Sequence, residues 1–168
     1  WSSGSVPTLA TDVVIPIGSP GNPVVSSSCQ AKSIDVNSTK LLDVGTFGCT
    51  VAGNVTVSGG TAGTGSFTIV APGQVEGNLR GIVAQAPVTQ SDISAIIGDL
   101  VIDGAGASFA PTGFSAVVSG NLDVLNGGLL VMTNPGDALT IQGNATFDGG
   151  DEFNQLTAGT LTLVGNFT

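Results

Sequence analysis

The sequence predicts an all-β fold, a right-handed parallel β-solenoid (β-helix) with about 22 residues per coil and an N-terminal cap. A dipeptide of Gly followed by Asn or Asp recurs six times, at a nearly constant interval of about 22 residues. Such an interval suits one solenoid coil, and the crossover rule for parallel strands predicts the right-handed coil. The six pairs are Gly53-Asn54, Gly77-Asn78, Gly98-Asp99, Gly120-Asn121, Gly143-Asn144 and Gly165-Asn166.

Apolar columns on both sides of the dipeptide support this prediction. The residues two before and two after each Gly are all apolar, and four after it only Gly81 is not. Such alternation is typical of a strand with one buried face, so each coil is expected to run strand, corner, strand, turn. The amide and carboxylate side chains are either plain turn formers or a corner ladder with hydrogen bonds from coil to coil. The predicted ladder comprises Asn54, Asn78, Asp99, Asn121, Asn144 and Asn166.

Composition narrows the class of protein and its partners. The chain has 168 residues, of which 41% are hydrophobic and 9% charged, as expected for one folded domain. Its net charge of −9 disfavours nucleic acid and anionic membrane surfaces as partners. No apolar run is long enough for a transmembrane helix. We therefore expect neither nucleic-acid binding nor membrane insertion.

The two cysteines, Cys29 and Cys49, are separated in the sequence by close to one coil length. This spacing places them on neighbouring rungs, at a separation that a disulfide can bridge. The alternative is two unrelated buried thiols. A zinc site is not expected, because the chain has no His and no CxxC pair. A disulfide implies an oxidising compartment, which means a secreted, extracellular or cell-surface protein.

The first residues differ from the remainder and carry a resemblance. Four of the eight prolines precede Val24, so we expect a cap and entry strand over residues 1–32 and solenoid coils over 33–168. The segments WSSGSVPT (1–8), TDVVIP (11–16), PVV (23–25) and SIDV (33–36) resemble the opening of repetitive β-solenoid regions in large secreted bacterial surface proteins. The resemblance implies an exported fibrous or adhesive module in which residues 1–32 cap the first rung, with no catalytic residues to carry over.

The C-terminal residues indicate that something continues the solenoid along its axis. The last residues, 164–168, stop inside a repeat just past the corner dipeptide. We expect either that the chain is an excerpt of a longer polypeptide or that another subunit stacks on the open end, a head-to-tail contact that propagates into a filament.

Candidate chemistry is confined to carboxylates, because the absence of His excludes Ser-His-Asp triads. Asp99, Asp103 and Asp123 are the nearest approach to an acid-base or Ca²⁺ cluster, against the alternative that they are solvated strand and turn residues. A second acidic group lies on a Gly-rich turn and is either a weak calcium site or a plain exposed turn; its spacing matches neither the EF-hand loop nor the Gly-rich nonapeptide calcium repeat. That group is Asp148, Asp151 and Glu152. No other cofactor is expected.

These observations favour a structural or adhesive module of an extracellular stalk, fibre or filament, and not an enzyme. The expected partners are further coils or copies along the axis, and a surface glycan or host receptor. The alternative is a carbohydrate-binding or carbohydrate-cleaving β-helix, because those proteins share the architecture.

Overall fold

The computed structural model describes residues 6–18, 21–37, 41–90, 94–149 and 152–168. It confirms the predicted all-β parallel β-solenoid, with about 7 turns of about 21 residues each. No helix capable of crossing a membrane occurs in the described part of the chain. The strands are β1 (Asp12–Ile15), β2 (Cys29–Ala31), β3 (Ser33–Val36), β4 (Leu42–Asp43), β5 (Cys49–Val51), β6 (Val55–Val57), β7 (Thr61–Ala62), β8 (Phe67–Ile69), β9 (Gly73–Gly77), β10 (Leu79–Ala84), β11 (Pro87–Gln90), β12 (Ser94–Asp103), β13 (Ser108–Ala110), β14 (Ser115–Val118), β15 (Leu122–Leu125), β16 (Leu129–Leu130), β17 (Ala138–Ile141), β18 (Ala145–Asp148) and β19 (Thr160–Leu163).

The strands form parallel sheets that share the solenoid axis. The first sheet has the order β1-β3-β6-β9-β11-β13-β16. The second has the order β2-β5-β8-β10-β12-β14-β17-β19, with β15 and β18 continuing beside the long strand β12. A third, short sheet pairs β4 with β7. Each coil therefore passes from the second sheet to the first and back.

The core is a stack of apolar side chains inside the coils. Register pairs place Cys49, Phe67, Ile82, Leu100 and Leu122 one above the other, and none is more than 1% exposed. Because strand side chains alternate between faces, the neighbours of these residues point outward. The stack excludes water along the axis and is the main stabilising feature of the fold.

A disulfide joins the Cys49 rung of this stack to the rung before it. Cys29 and Cys49 are register partners in β2 and β5, and their sulfurs are bonded with a Cα–Cα distance of 4.5 Å. The predicted pairing is confirmed. It ties β2, which lies within the predicted cap and entry segment, covalently to the coil that follows.

Coil length is less uniform than the dipeptide spacing indicates. The register step from Leu100 to Leu122 spans a full coil, whereas the step from Phe67 to Ile82 is much shorter. In the coil before this short one, β7 is followed by a turn over residues 63–66 that leads into β8. The short coil has no counterpart of that turn, because β9 passes into the continuous strand β10 through Asn78 alone.

Candidate functional site

Four of the six predicted corner residues form a ladder that runs from coil to coil at one corner within the second sheet. Asp99 Oδ1 accepts a hydrogen bond from the main-chain N–H of Asn121 (2.8 Å), and Asn121 Oδ1 accepts one from Asn144 (2.9 Å). Asn144 Oδ1 accepts in turn from the N–H of Asn166 (3.0 Å). At each corner the side chain accepts the N–H of the corner residue on the next coil, while main-chain hydrogen bonds continue on either side, so these residues are more than turn formers.

Asn54 and Asn78 do not belong to this ladder, and the prediction of one ladder of six is wrong for them. Asn54 precedes β6 in the first sheet, and its Oδ1 accepts from the N–H of Gln74 (2.9 Å). Asn78 lies at the end of β9, where its carbonyl accepts from the N–H of Thr61 (2.9 Å). The physical reason is the short coil: the dipeptides keep nearly even spacing while the coils do not, so the same motif reaches different corners.

The three aspartates considered for acid-base chemistry have separate roles in the structure. Asp99 belongs to the ladder, and Asp103 accepts a hydrogen bond from Asn126 Nδ2 (2.7 Å) on the neighbouring turn. Asp123 lies within β15, in register with Val101 and Thr146. These placements support strand and turn roles.

The predicted calcium site is described only in part. Asp151 lies outside the described residues, and the main-chain carbonyl of Asp148 accepts from the N–H of Asn126 (3.1 Å). Glu152 borders an apolar recess, and its Oε1 is buried without a hydrogen-bond partner in the described structure. No group of three His, Cys, Asp or Glu residues suited to a metal ion occurs within the described ranges. Calcium binding here stays a prediction.

A small polar cluster joins β1 to β3 on the outer surface. Asp12 accepts hydrogen bonds from Ser33 Oγ (2.6 Å) and Lys32 Nζ (3.1 Å). The Ser33 hydrogen bond, followed by that of Lys32, lowers the pKa of the Asp12 carboxyl below its ordinary value. The side chains of Asp12 and Lys32 are both more than half exposed, so the ion pair is a minor stabilising contact.

A concave surface lies where the short coil follows the turn over residues 63–66. Arg80, near the start of β10, lies beside β7: its main-chain N–H donates to Thr61 Oγ1 (2.9 Å) and its Nε–H to the Thr61 carbonyl (3.3 Å). Two recesses, of about 270 Å³ and about 260 Å³, share Arg80, Gly98 and Ser119 in their walls. We name this surface the Arg80 groove; around Arg80 it is lined by Thr61, Thr64, Asn78, Gly98, Asp99 and Ser119.

Small residues allow the groove to form. A Cβ on Gly98 would overlap the carbonyl oxygen of Arg80 on the rung beside it, so only glycine fits this close approach of two backbones. The repeat pattern of the sequence does not predict the groove. Its one trace there is Gly81, the residue that breaks the apolar column, which lies where the short coil shifts the register.

Comparison of the chain with protein-family models, with curated proteins and with solved structures found no match.

Proposed function

We propose that the protein is a structural segment of an exported surface protein, in which it forms part of a stalk or fibre. One observation carries this proposal: the parallel rungs stack in register on a single axis from β2 to β19. An architecture that grows by adding coils increases in length without changing its cross-section. A spacer or fibre needs that property.

The internal contacts suit a load-bearing role. Each rung is held to the next by main-chain hydrogen bonds and by the buried column, and the rungs from Asp99 to Asn166 are also joined at one corner by the side-chain ladder. The Cys29–Cys49 disulfide adds a covalent link between two rungs. Disulfides persist in oxidising compartments, which supports an extracellular location.

Electron microscopy of the full-length protein purified from its source tests this function, combined with immunogold labelling of intact cells by an antibody against this segment. We expect elongated rods or fibres that carry the label outside the cell. Compact particles, or label found only in the cytosol, would contradict the proposal.

The proposed axial partner is a second copy of the solenoid or a further coil of the same type. The outermost coil exposes apolar side chains around a recess of about 330 Å³ bordered by Phe147, Leu161, Leu163 and Phe167. Phe167 is 69% exposed and stacks on Phe147 with 5.4 Å between ring centroids. Apolar surface of this kind on the edge of a sheet favours pairing with another strand.

Sedimentation velocity over a range of concentrations tests this contact. We expect reversible association of the chain, which Phe167→Asp reduces because it introduces a charge into the apolar face. Val70→Asp is the matched control, since Val70 is 37% exposed and lies on the side of the solenoid. A monomer at all concentrations, or equal effects of the two variants, would refute the stacking of a second copy on this face.

A further inference from the structure

We propose that the Arg80 groove binds the carboxylate of a uronic acid residue in a short acidic oligosaccharide. This activity is independent of the structural role, because it uses the side of the solenoid and not its axis. The groove would add a ligand specificity to a module that otherwise extends a fibre.

Arg80 places a positive charge in the groove of a protein that has few positive charges. The chain has three basic residues against twelve acidic ones. Of the two that the structure describes, Lys32 is paired with Asp12, whereas Arg80 forms no salt bridge within the described part of the chain. A guanidinium group in a concave surface of an otherwise acidic protein is a local attraction for an anion.

The guanidinium of Arg80 also has the geometry that a carboxylate requires. Arginine has five N–H donors in a planar fork. The Nε–H is held by the Thr61 carbonyl at 3.3 Å, and the four N–H groups on the terminal nitrogens have no acceptor among the described residues. An anchored planar fork with free terminal donors matches a planar carboxylate, which can accept two parallel hydrogen bonds.

Polar side chains line the groove around Arg80. Asp99 uses Oδ1 for the ladder, which leaves Oδ2 to accept from a ligand hydroxyl. Ser119 Oγ donates to the Ile97 carbonyl (3.1 Å) and keeps its lone pairs as acceptors. Thr64 borders one of the two recesses and adds a hydroxyl group to this lining. A ligand with one carboxylate and several hydroxyls satisfies this set better than a simple anion does.

The size of the groove agrees with a short oligosaccharide. The recesses of about 270 Å³ and about 260 Å³ meet at Arg80, and together they reach the volume of small-ligand sites, roughly 300–1,000 Å³. Because Arg80 borders both recesses, a sugar ring bound in either one would have the guanidinium beside its carboxylate.

Isothermal titration calorimetry of the whole chain tests the proposal with trimers of galacturonate, glucuronate and mannuronate. We expect at least one trimer to bind, and its methyl ester, which has the same shape without the charge, to bind at least tenfold more weakly. Arg80→Gln should weaken binding of the acidic trimer at least tenfold. Lys32→Gln removes the same charge on a distant rung and should leave the affinity unchanged.

Three results would overturn the proposal: no binding of any trimer, equal binding of acid and ester, or acetate bound as tightly as the trimer. The last would show a simple carboxylate site with no sugar specificity. The ester comparison uses the unaltered protein, so it decides the question even if Arg80→Gln does not fold. Arg80→Lys retains the charge but not the fork, and should weaken binding if the carboxylate is held by two hydrogen bonds.

Discussion

Replacement of Gly98 by Ala tests the close stacking of rungs at its tightest point. Gly98 does not have a positive φ, so Ala suits its backbone conformation and only the contact with the Arg80 carbonyl is perturbed. A main-chain oxygen cannot swing aside, so the rungs must separate. As they separate, the two rungs shift against their outer neighbours and distort three adjacent hydrogen bonds: Gly120 N–H to Gly98 O and Ser119 N–H to Ile97 O (2.8 Å each), and Arg80 N–H to Thr61 Oγ1 (2.9 Å).

Each of these bonds contributes about 1 kcal/mol net, so we expect Gly98→Ala to lower the free energy of unfolding by about 3 kcal/mol. For a chain of this length the midpoint of thermal unfolding should fall by roughly 6–12 °C. Circular dichroism measures the midpoint, and hydrogen exchange should show faster exchange of the Gly120 amide.

Gly21→Ala is the matched control, because a Cβ at Gly21 meets nothing within 4 Å. It should change the stability by less than about 0.5 kcal/mol. If Gly98→Ala were as stable as Gly21→Ala, the rungs would not approach as closely as the structure shows, and the Arg80 groove would not require a glycine at this position.

Three further predictions concern the disulfide, the ladder and the surface cluster. Replacing Cys29 and Cys49 together by Ala should lower the free energy of unfolding by about 3 kcal/mol, because the disulfide no longer restricts the unfolded chain. Thermal unfolding of the unaltered protein with and without reductant checks this, and identical midpoints would contradict it. Asn121→Ala removes the side-chain acceptor of the Asn144 N–H, so it should lower the free energy of unfolding by about 1 kcal/mol and speed hydrogen exchange of the Asn144 amide. Unchanged exchange would refute this ladder hydrogen bond. Asp12 should titrate below its ordinary pKa of 3.8 in an NMR titration; because the pKa is lowered, its stabilising contribution is complete above that value and disappears as the pH falls through the lowered pKa.

The sequence was sufficient to predict the stacked architecture because burial repeats along the chain. Val118, Leu122 and Val124 recur one coil later as Ile141, Ala145 and Phe147, and register pairs place each above its counterpart. The cysteine spacing was equally informative, since two residues one coil apart meet on adjacent rungs. Where coils have similar length, sequence period and spatial period agree.

The agreement ends where a coil loses one of its turns. A Gly-Asn pair suits any sharp corner, so Gly53-Asn54 and Gly120-Asn121 look equivalent in the sequence. In the structure, the strand that follows the first pair belongs to the first sheet, and the strand that follows the second pair belongs to the second sheet. The assignment of a dipeptide to a corner depends on how many residues the preceding turns contain. That number is set by packing between rungs, which local patterns do not record.

Variation in coil length also explains where a binding surface arises on this fold. Rungs of equal length stacked in register form flat sides, and a flat side offers a ligand few contacts. The coil that joins Phe67 to Ile82 is the short one, and because it omits the turn that the previous coil has at residues 63–66, a recess remains beside that turn. Arg80 lies near the start of the strand at this omission. A change in the length of this coil would deepen or fill the recess and so alter ligand binding, while the coils above and below keep their register. The ligand that the groove accepts can therefore change without a change in the stacked core.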